Sequence, residues 1–143
     1  MNREELMKIL PHRTPMLLVD EAQMIDGVSI GRYTVRGYEW FLQGHFPDMP
    51  IVPGVILCEM MAQSACLLFQ NHGGKGITPY FTGLDKVRFK NSVFPGDTIE
   101  FHCQITAKKK AFYFARGKGY VNGKLCISGE FSFLLVTEAN NPS

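Results

Sequence analysis

The stretch GVILCEMMAQSACLLFQ, residues 54–70, decides the fold. It follows Pro53, and Gly73-Gly74 stands just beyond it. Proline suits a helix start, where its missing N–H is not needed, and glycine suits a helix end. The reading is one helix that begins near Pro53-Gly54 and runs to about Gln70. Its surface is apolar all round, through Val55, Ile56, Leu57, Cys58, Met60, Met61, Ala62, Ala65, Leu67, Leu68 and Phe69. A helix without a polar face must be wrapped by other structure.

The rest of the chain supplies the wrapping. Downstream, strands are expected over 80–90, 98–109, 112–121 and 124–137. Phe101, Cys103, Ile105 and Ala107 alternate with His102, Gln104, Thr106 and Lys108, the period of a half-buried strand. Asn122-Gly123 predicts a tight type I′ hairpin, and Pro95-Gly96-Asp97 marks another turn. Upstream, residues 3–9 read as a short helix ending before Pro11, and 16–25 as an apolar-rich strand. Asp26-Gly27 turns that strand into a second one, VSIGRYTV, from Val28. Gly44, Pro47, Pro50 and Pro53 keep 38–53 irregular. The expected architecture is α+β: about six mostly antiparallel strands forming a curled sheet around one long apolar helix. Residues 1–143 read as a single domain, with a disordered tail at about 138–143.

Composition narrows the class. The 143 residues are 45% hydrophobic and 20% charged, ordinary values for a folded domain with a sizeable core. No apolar run approaches the roughly 20 residues of a membrane helix, and the N-terminus lacks a signal-peptide core. The expectation is a soluble, cytoplasmic protein. Cys58, Cys66, Cys103 and Cys126 form no C-x-x-C pair and sit in apolar stretches, so buried free thiols are expected and a zinc site is not. The net charge is +2, but residues 75–124 hold ten Lys or Arg against three acids. Such a half can steer an acidic partner, with nucleic acid and an acidic carrier protein both open, or it is simply a solvated strand face.

Chemistry concentrates in residues 43–63, QGHFPDMPIVPGVILCEMMAQ. Glu59 is six residues into a helix with almost no other charge. Burial there would raise its pKa and keep it protonated as a proton donor. The bland alternative is a Glu tied to an Arg in a structural salt bridge. Gln63, one turn on, shares its face and can orient it. His45 lies in a proline-restricted loop leading to the same helix, and imidazole is the natural base at physiological pH. Backbone N–H groups at the helix start, beginning with Gly54, can polarise a carbonyl oxygen.

The pattern GHFPxxPxVPGVxxxExMAQ, carried by residues 44–63, resembles the active-site signature of the FabZ-type 3-hydroxyacyl-[acyl-carrier-protein] dehydratases. ILPHRTPMLLVD at 9–20, LDKVRFKNSVFPGD at 84–97 and VNGKLCISGEF at 121–131 are similar to other blocks of that family. The resemblance implies the hot-dog fold, and it implies dehydration of (3R)-3-hydroxyacyl thioesters on acyl carrier protein in fatty acid biosynthesis. His45 matches the catalytic histidine, Glu59 the catalytic carboxylate, and Gly54 the glycine whose N–H binds the thioester carbonyl. Phe46 and Gln63 fall beside them as substrate-binding positions, and Tyr80 matches a tyrosine that gates the acyl tunnel in some members. Related FabA-type enzymes, which also isomerise the double bond, carry Asp where this chain has Glu59. Asp48-Met49 departs from the family's usual Gly and polar residue. The resemblance further implies a homodimer whose sites take His45 from one subunit and Glu59 from the other, with a trimer of dimers as a larger form. It implies no cofactor and no metal.

An acidic carrier gives the basic half a purpose, and Lys86, Arg88, Lys90, Arg116 and Lys118 are the expected docking residues. His12 reads as structural, His72 as a cap of the helix C-terminus, and His102 as solvated. Lys108-Lys109-Lys110 reads as a charged strand end without the interleaved aromatics of a nucleic-acid site. The rivals are a hot-dog thioesterase, a dehydratase–isomerase and a non-catalytic acyl-binding hot-dog protein. Neither the thioesterase nor the binding protein has reason to keep both His45 and Glu59.

Overall fold

The computed structural model describes residues 1–69 and 78–136. A short helix α1 (Arg3–Leu6) is followed by β1 (Glu21–Ile25) and β2 (Val28–Thr34). A 3₁₀ turn (Trp40–Leu42) and a loop lead to α2 (Gly54–Ser64), which passes into a second 3₁₀ turn (Cys66–Phe69). Four longer strands complete the chain: β3 (Thr78–Phe89), β4 (Thr98–Lys109), β5 (Phe112–Val121) and β6 (Lys124–Val136). They form one antiparallel sheet in the order β1-β2-β4-β5-β6-β3. The residue 72 cap and the tail over 138–143 lie outside the described residues.

The hairpins form where the turn chemistry puts them. Asp26 and Gly27, and again Asn122 and Gly123, all take positive φ, as a type I′ turn requires. Alternation then sorts the side chains. Ile99, Phe101 and Cys103 of β4, Tyr113 and Ala115 of β5, and Ile127, Phe131 and Phe133 of β6 are buried on one face. Ile56, Leu57, Met60, Met61 and Ala65 pack onto that face in the same core cluster. Two glycines let the helix settle close. A Cβ on Gly117 would lie 2.8 Å from the Met61 side chain, and one on Gly31 would collide with Ser64.

The helix is shorter than its apolar pattern predicts. Ser29 Oγ donates to the Ser64 carbonyl at 2.6 Å. That oxygen would otherwise accept the Leu68 N–H, which instead bonds Ala65 O at 3.0 Å. The chain therefore tightens into 3₁₀ geometry after Ser64. The first strand is also shorter, because residues 16–20 do not pair as a strand. Leu18 N–H donates to Gln63 Oε1 at 2.7 Å, and the Met16 carbonyl accepts from Gln63 Nε2 at 2.8 Å. A helix side chain thus takes the bonds a neighbouring strand would have made. Leu17 and Val19 from this segment join Leu6, Leu10, Cys66 and Leu67 in a second apolar cluster.

The wrapping of α2 is incomplete in the single chain. Val55 is 76% exposed, and Glu59, one turn later on the same face, is half-buried. The stripe from Val55 to Glu59 is the side the sheet does not cover. All four cysteines are free and buried. No helix among the described residues is long and apolar enough to cross a membrane.

Candidate active site

The loop before α2 is built around Glu39, which is buried. Its carboxylate accepts from the Tyr33 hydroxyl at 2.7 Å, Arg36 N–H at 2.9 Å and Gly37 N–H at 2.7 Å. Burial works against the charge, but these donors outweigh it and hold Glu39 below the usual carboxylate range. The same contact helps push the buried Tyr33 hydroxyl well above its ordinary value. The anchored turn delivers Trp40–Leu42, and the Leu42 carbonyl receives the His45 N–H at 3.2 Å.

His45 is half-buried, and its ring stacks on Phe46 with centroids 4.3 Å apart. The His45–Phe46 peptide is cis. His45 Nδ1 lies 3.0 Å from the Ile51 carbonyl. A carbonyl can only accept, so Nδ1 carries the proton in this bond and Nε2 presents a lone pair. The Ile51 contact fixes the ring's orientation and leaves Nε2 without a partner among the described residues.

Glu59 is held from the other side. Its Oε1 accepts from Gln63 Nε2 at 3.0 Å and lies 3.3 Å from His12 Nε2. Gln63 is 2% exposed, and its remaining amide atoms are engaged by Leu18 and Met16. The nearby His12 ring is the largest influence on Glu59. Burial opposes it, yet with the Gln63 bond it brings the carboxyl below its ordinary pKa. This corrects the expectation of a raised pKa: the donors around Oε1 outweigh desolvation in the single chain. The neighbour is a histidine, not the arginine of the bland alternative.

Behind Glu59 lies a cavity of about 50 Å³, with His12 and Gln63 beside the carboxylate and Phe69, Phe81 and Phe133 as an apolar floor. His45 and Tyr80 are not among its lining residues. Strand alternation explains the second absence. Phe81 pairs with buried Phe133 and Tyr80 with Leu134, so the two rings fall on opposite faces of β3, although both are partly exposed in the single chain. Gly54 sits at the first turn of α2, where its N–H has no acceptor among the described residues. The Phe89 ring lies so close that a Cβ on Gly54 would be 2.8 Å from its Cζ.

A 10–130 match to the FabA-like domain model covers most of the chain. The chain is 42% identical to the 3-hydroxyacyl-[acyl-carrier-protein] dehydratase FabZ of Clostridium perfringens (strain SM101 / Type A), over 94% of this chain and 99% of that one. The chain belongs to the FabZ-type dehydratase family. A second FabZ relative, from Petrotoga mobilis (strain DSM 10674 / SJ95), is 44% identical over 91% of this chain and 94% of its own. Among solved structures, the dehydratase heterocomplex ApeI:P from Xenorhabdus doucetiae superposes with a TM-score of 0.79 at 19% identity, covering 94% and 93% of the two chains. The fluoroacetyl-CoA thioesterase FlK superposes at 0.67 with 10% identity, covering 81% and 90%. Both likenesses bear on fold, and the architecture is the hot-dog fold.

The basic residues of this FabZ-type chain divide by place. Lys86, Arg116 and Lys118 line an open groove of about 540 Å³ that also includes His102 and Glu130. It lies on the sheet face turned away from α2, since Arg116 and Lys118 alternate with the inward Ala115, Gly117 and Gly119. Arg88 and Lys90 are exposed at the end of β3 and just beyond it. His102 is not simply solvated: its Nε2 lies 2.7 Å from Glu100.

Proposed function

We propose that the chain removes water from (3R)-3-hydroxyacyl thioesters carried on the phosphopantetheine arm of acyl carrier protein, giving trans-2-enoyl thioesters in fatty acid biosynthesis. One observation carries the mechanism. His45 is held through Nδ1 on the Ile51 carbonyl with Nε2 free of other partners among the described residues, and Glu59 is held through Oε1 at the mouth of an apolar cavity. These are a pre-oriented base and a pre-oriented carboxyl.

The Gly54 N–H, at the positive end of α2, receives the thioester oxygen and stabilises the charge that grows there. His45 Nε2 takes the C2 proton, and the C–H electrons form the C2–C3 double bond. The C3–O bond breaks as protonated Glu59 donates to the hydroxyl, which leaves as water. Glu59 must gain a proton before it can donate. Burial already opposes its ionisation, and covering the cavity with an acyl chain and a second subunit strengthens that opposition.

The second subunit completes the site. Val55 is uncovered beside Glu59, Phe46, Met49 and Phe89 are exposed, and β3 is an edge strand. A homodimer that buries these surfaces brings His45 of one protomer to Glu59 of the other. The apolar floor at Phe69, Phe81 and Phe133 receives the acyl chain once the cavity opens, with Tyr80 at its margin. The carrier protein, being acidic, docks through Lys86, Arg88, Lys90, Arg116 and Lys118. Four unpaired thiols suit the reducing cytoplasm as its place of work.

Incubation with 3-hydroxyacyl carrier protein tests the reading. The enoyl thioester is the expected product. Free acid would mark a thioesterase, a 3-enoyl thioester a dehydratase–isomerase, and no turnover a binding protein.

A further inference from the structure

One buried polar atom beside the carboxylate has no hydrogen-bond partner: Nδ1 of His12. The atoms around it decide which protons sit where. Gln63 has no freedom, because its Oε1 accepts the Leu18 N–H and its Nε2 therefore faces Met16 O and Glu59 Oε1 as a donor. For His12, an Nδ1–H would be a buried donor without an acceptor, the costlier kind of orphan. Both the Nδ1–H tautomer and the doubly protonated ring carry that cost. The Nε2–H tautomer avoids it and turns its N–H toward Glu59 Oε1, 3.3 Å away.

We propose that His12 is a positioning residue for Glu59: its neutral ring, protonated on Nε2, shares Oε1 with Gln63 and leaves Oε2 to carry the transferable proton. A proton on Oε1 would face two N–H groups. Oε2 has no partner among the described residues, so it is the oxygen open to a substrate. The other groups facing Glu59 do not compete. The second 3₁₀ turn contributes the Cys66 thiol, which burial pushes up to about 12, and β3 and β6 contribute only Pro79, Phe81 and Phe133. Among the described residues lining this cavity, His12 is the only histidine, lysine or arginine. The inference deepens the dehydratase reading and rests on it for the role of Oε2.

Two measurements test it on the full chain. Nitrogen-15 NMR of histidine-labelled protein at pH 8 reads the tautomer directly, with His12→Gln identifying the signal. The expected result is a protonated Nε2 and a bare Nδ1, and the reverse assignment would overturn the proposal whether or not the chain turns over substrate. In kinetics, His12→Ala should lower the plateau kcat on the order of 10–100-fold with KM nearly unchanged, the range for one hydrogen bond to a charged group. Its alkaline limb should move to higher pH, because a carboxylate that loses a donor holds its proton more tightly. His12→Gln, whose amide N–H reaches the Nε2 position, should recover most of kcat. Equal losses in both variants with an unmoved limb would reduce His12 to a packing role and sink the idea. Absence of dehydration by the unaltered protein would instead count against the function, leaving the NMR result to judge His12.

Discussion

Gln63 bridges the helix, the N-terminal segment and the carboxylate through three hydrogen bonds. Gln63→Leu strands the Leu18 N–H and the Met16 carbonyl in the interior. We expect a loss of about 2–4 kcal/mol in a urea melt, from unsatisfied buried groups. A loss below about 0.5 kcal/mol would mean the bridge is dispensable. Glu39 supports a pH test. Its pKa is lowered in the folded chain, so its contribution is fully present above the ordinary carboxylate value of 4.5 and is lost as pH falls through the lower folded value. The stability gap between the native chain and Glu39→Gln should be wide at pH 7 and shrink below about pH 4.5. A gap independent of pH would contradict the charged network. At this scale the sequence told part of the story. The contact of Gln63 with Glu59 was legible from their spacing of one helical turn, but the state of Glu59 was not. It depends on His12, 47 positions away, which meets Glu59 only through tertiary packing. Likewise Phe81 rather than Tyr80 reaches the cavity, which depends on a pairing register set by β6.

Among the elements, the strands and their turns were legible because period-two alternation and Asp-Gly or Asn-Gly pairs act locally. The errors fall where side chains intercept backbone bonds. Ser29 ends α2 at Ser64, and Gln63 removes residues 16–20 from the first strand. No local pattern announces either contact. The seating of α2 on the sheet yields a direct test at Gly31. A Cβ there would lie 2.9 Å from the Ser64 Cα, a backbone atom that cannot rotate away. Gly31→Ala should destabilise by about 1–3 kcal/mol and lower Tm. An unchanged Tm would show that helix and sheet are less closely fitted than these distances require.

For the whole molecule, the apolar helix called for a sheet that buries it on most sides, and one chain leaves a single stripe open. The sheet covers the faces of Ile56, Leu57, Met60 and Met61, while Val55 and the Glu59 edge remain open. Val55→Asp should therefore leave the fold intact by circular dichroism. It should shift the chain toward monomer in sedimentation and reduce dehydration with it. A monomeric variant with full activity would mean that one chain suffices. His45 and Glu59 are close in number, yet His45 does not line the cavity beside Glu59 in the single chain. Mixing two disabled variants tests the shared site most directly. His45→Ala and Glu59→Gln should each lose about 10²–10⁴-fold in rate on their own. Unfolded and refolded together, they should form mixed dimers with one intact site, recovering roughly a quarter of native activity. A mixture as inactive as its parts, or either variant fully active alone, would contradict a site made of His45 from one subunit and Glu59 from the other.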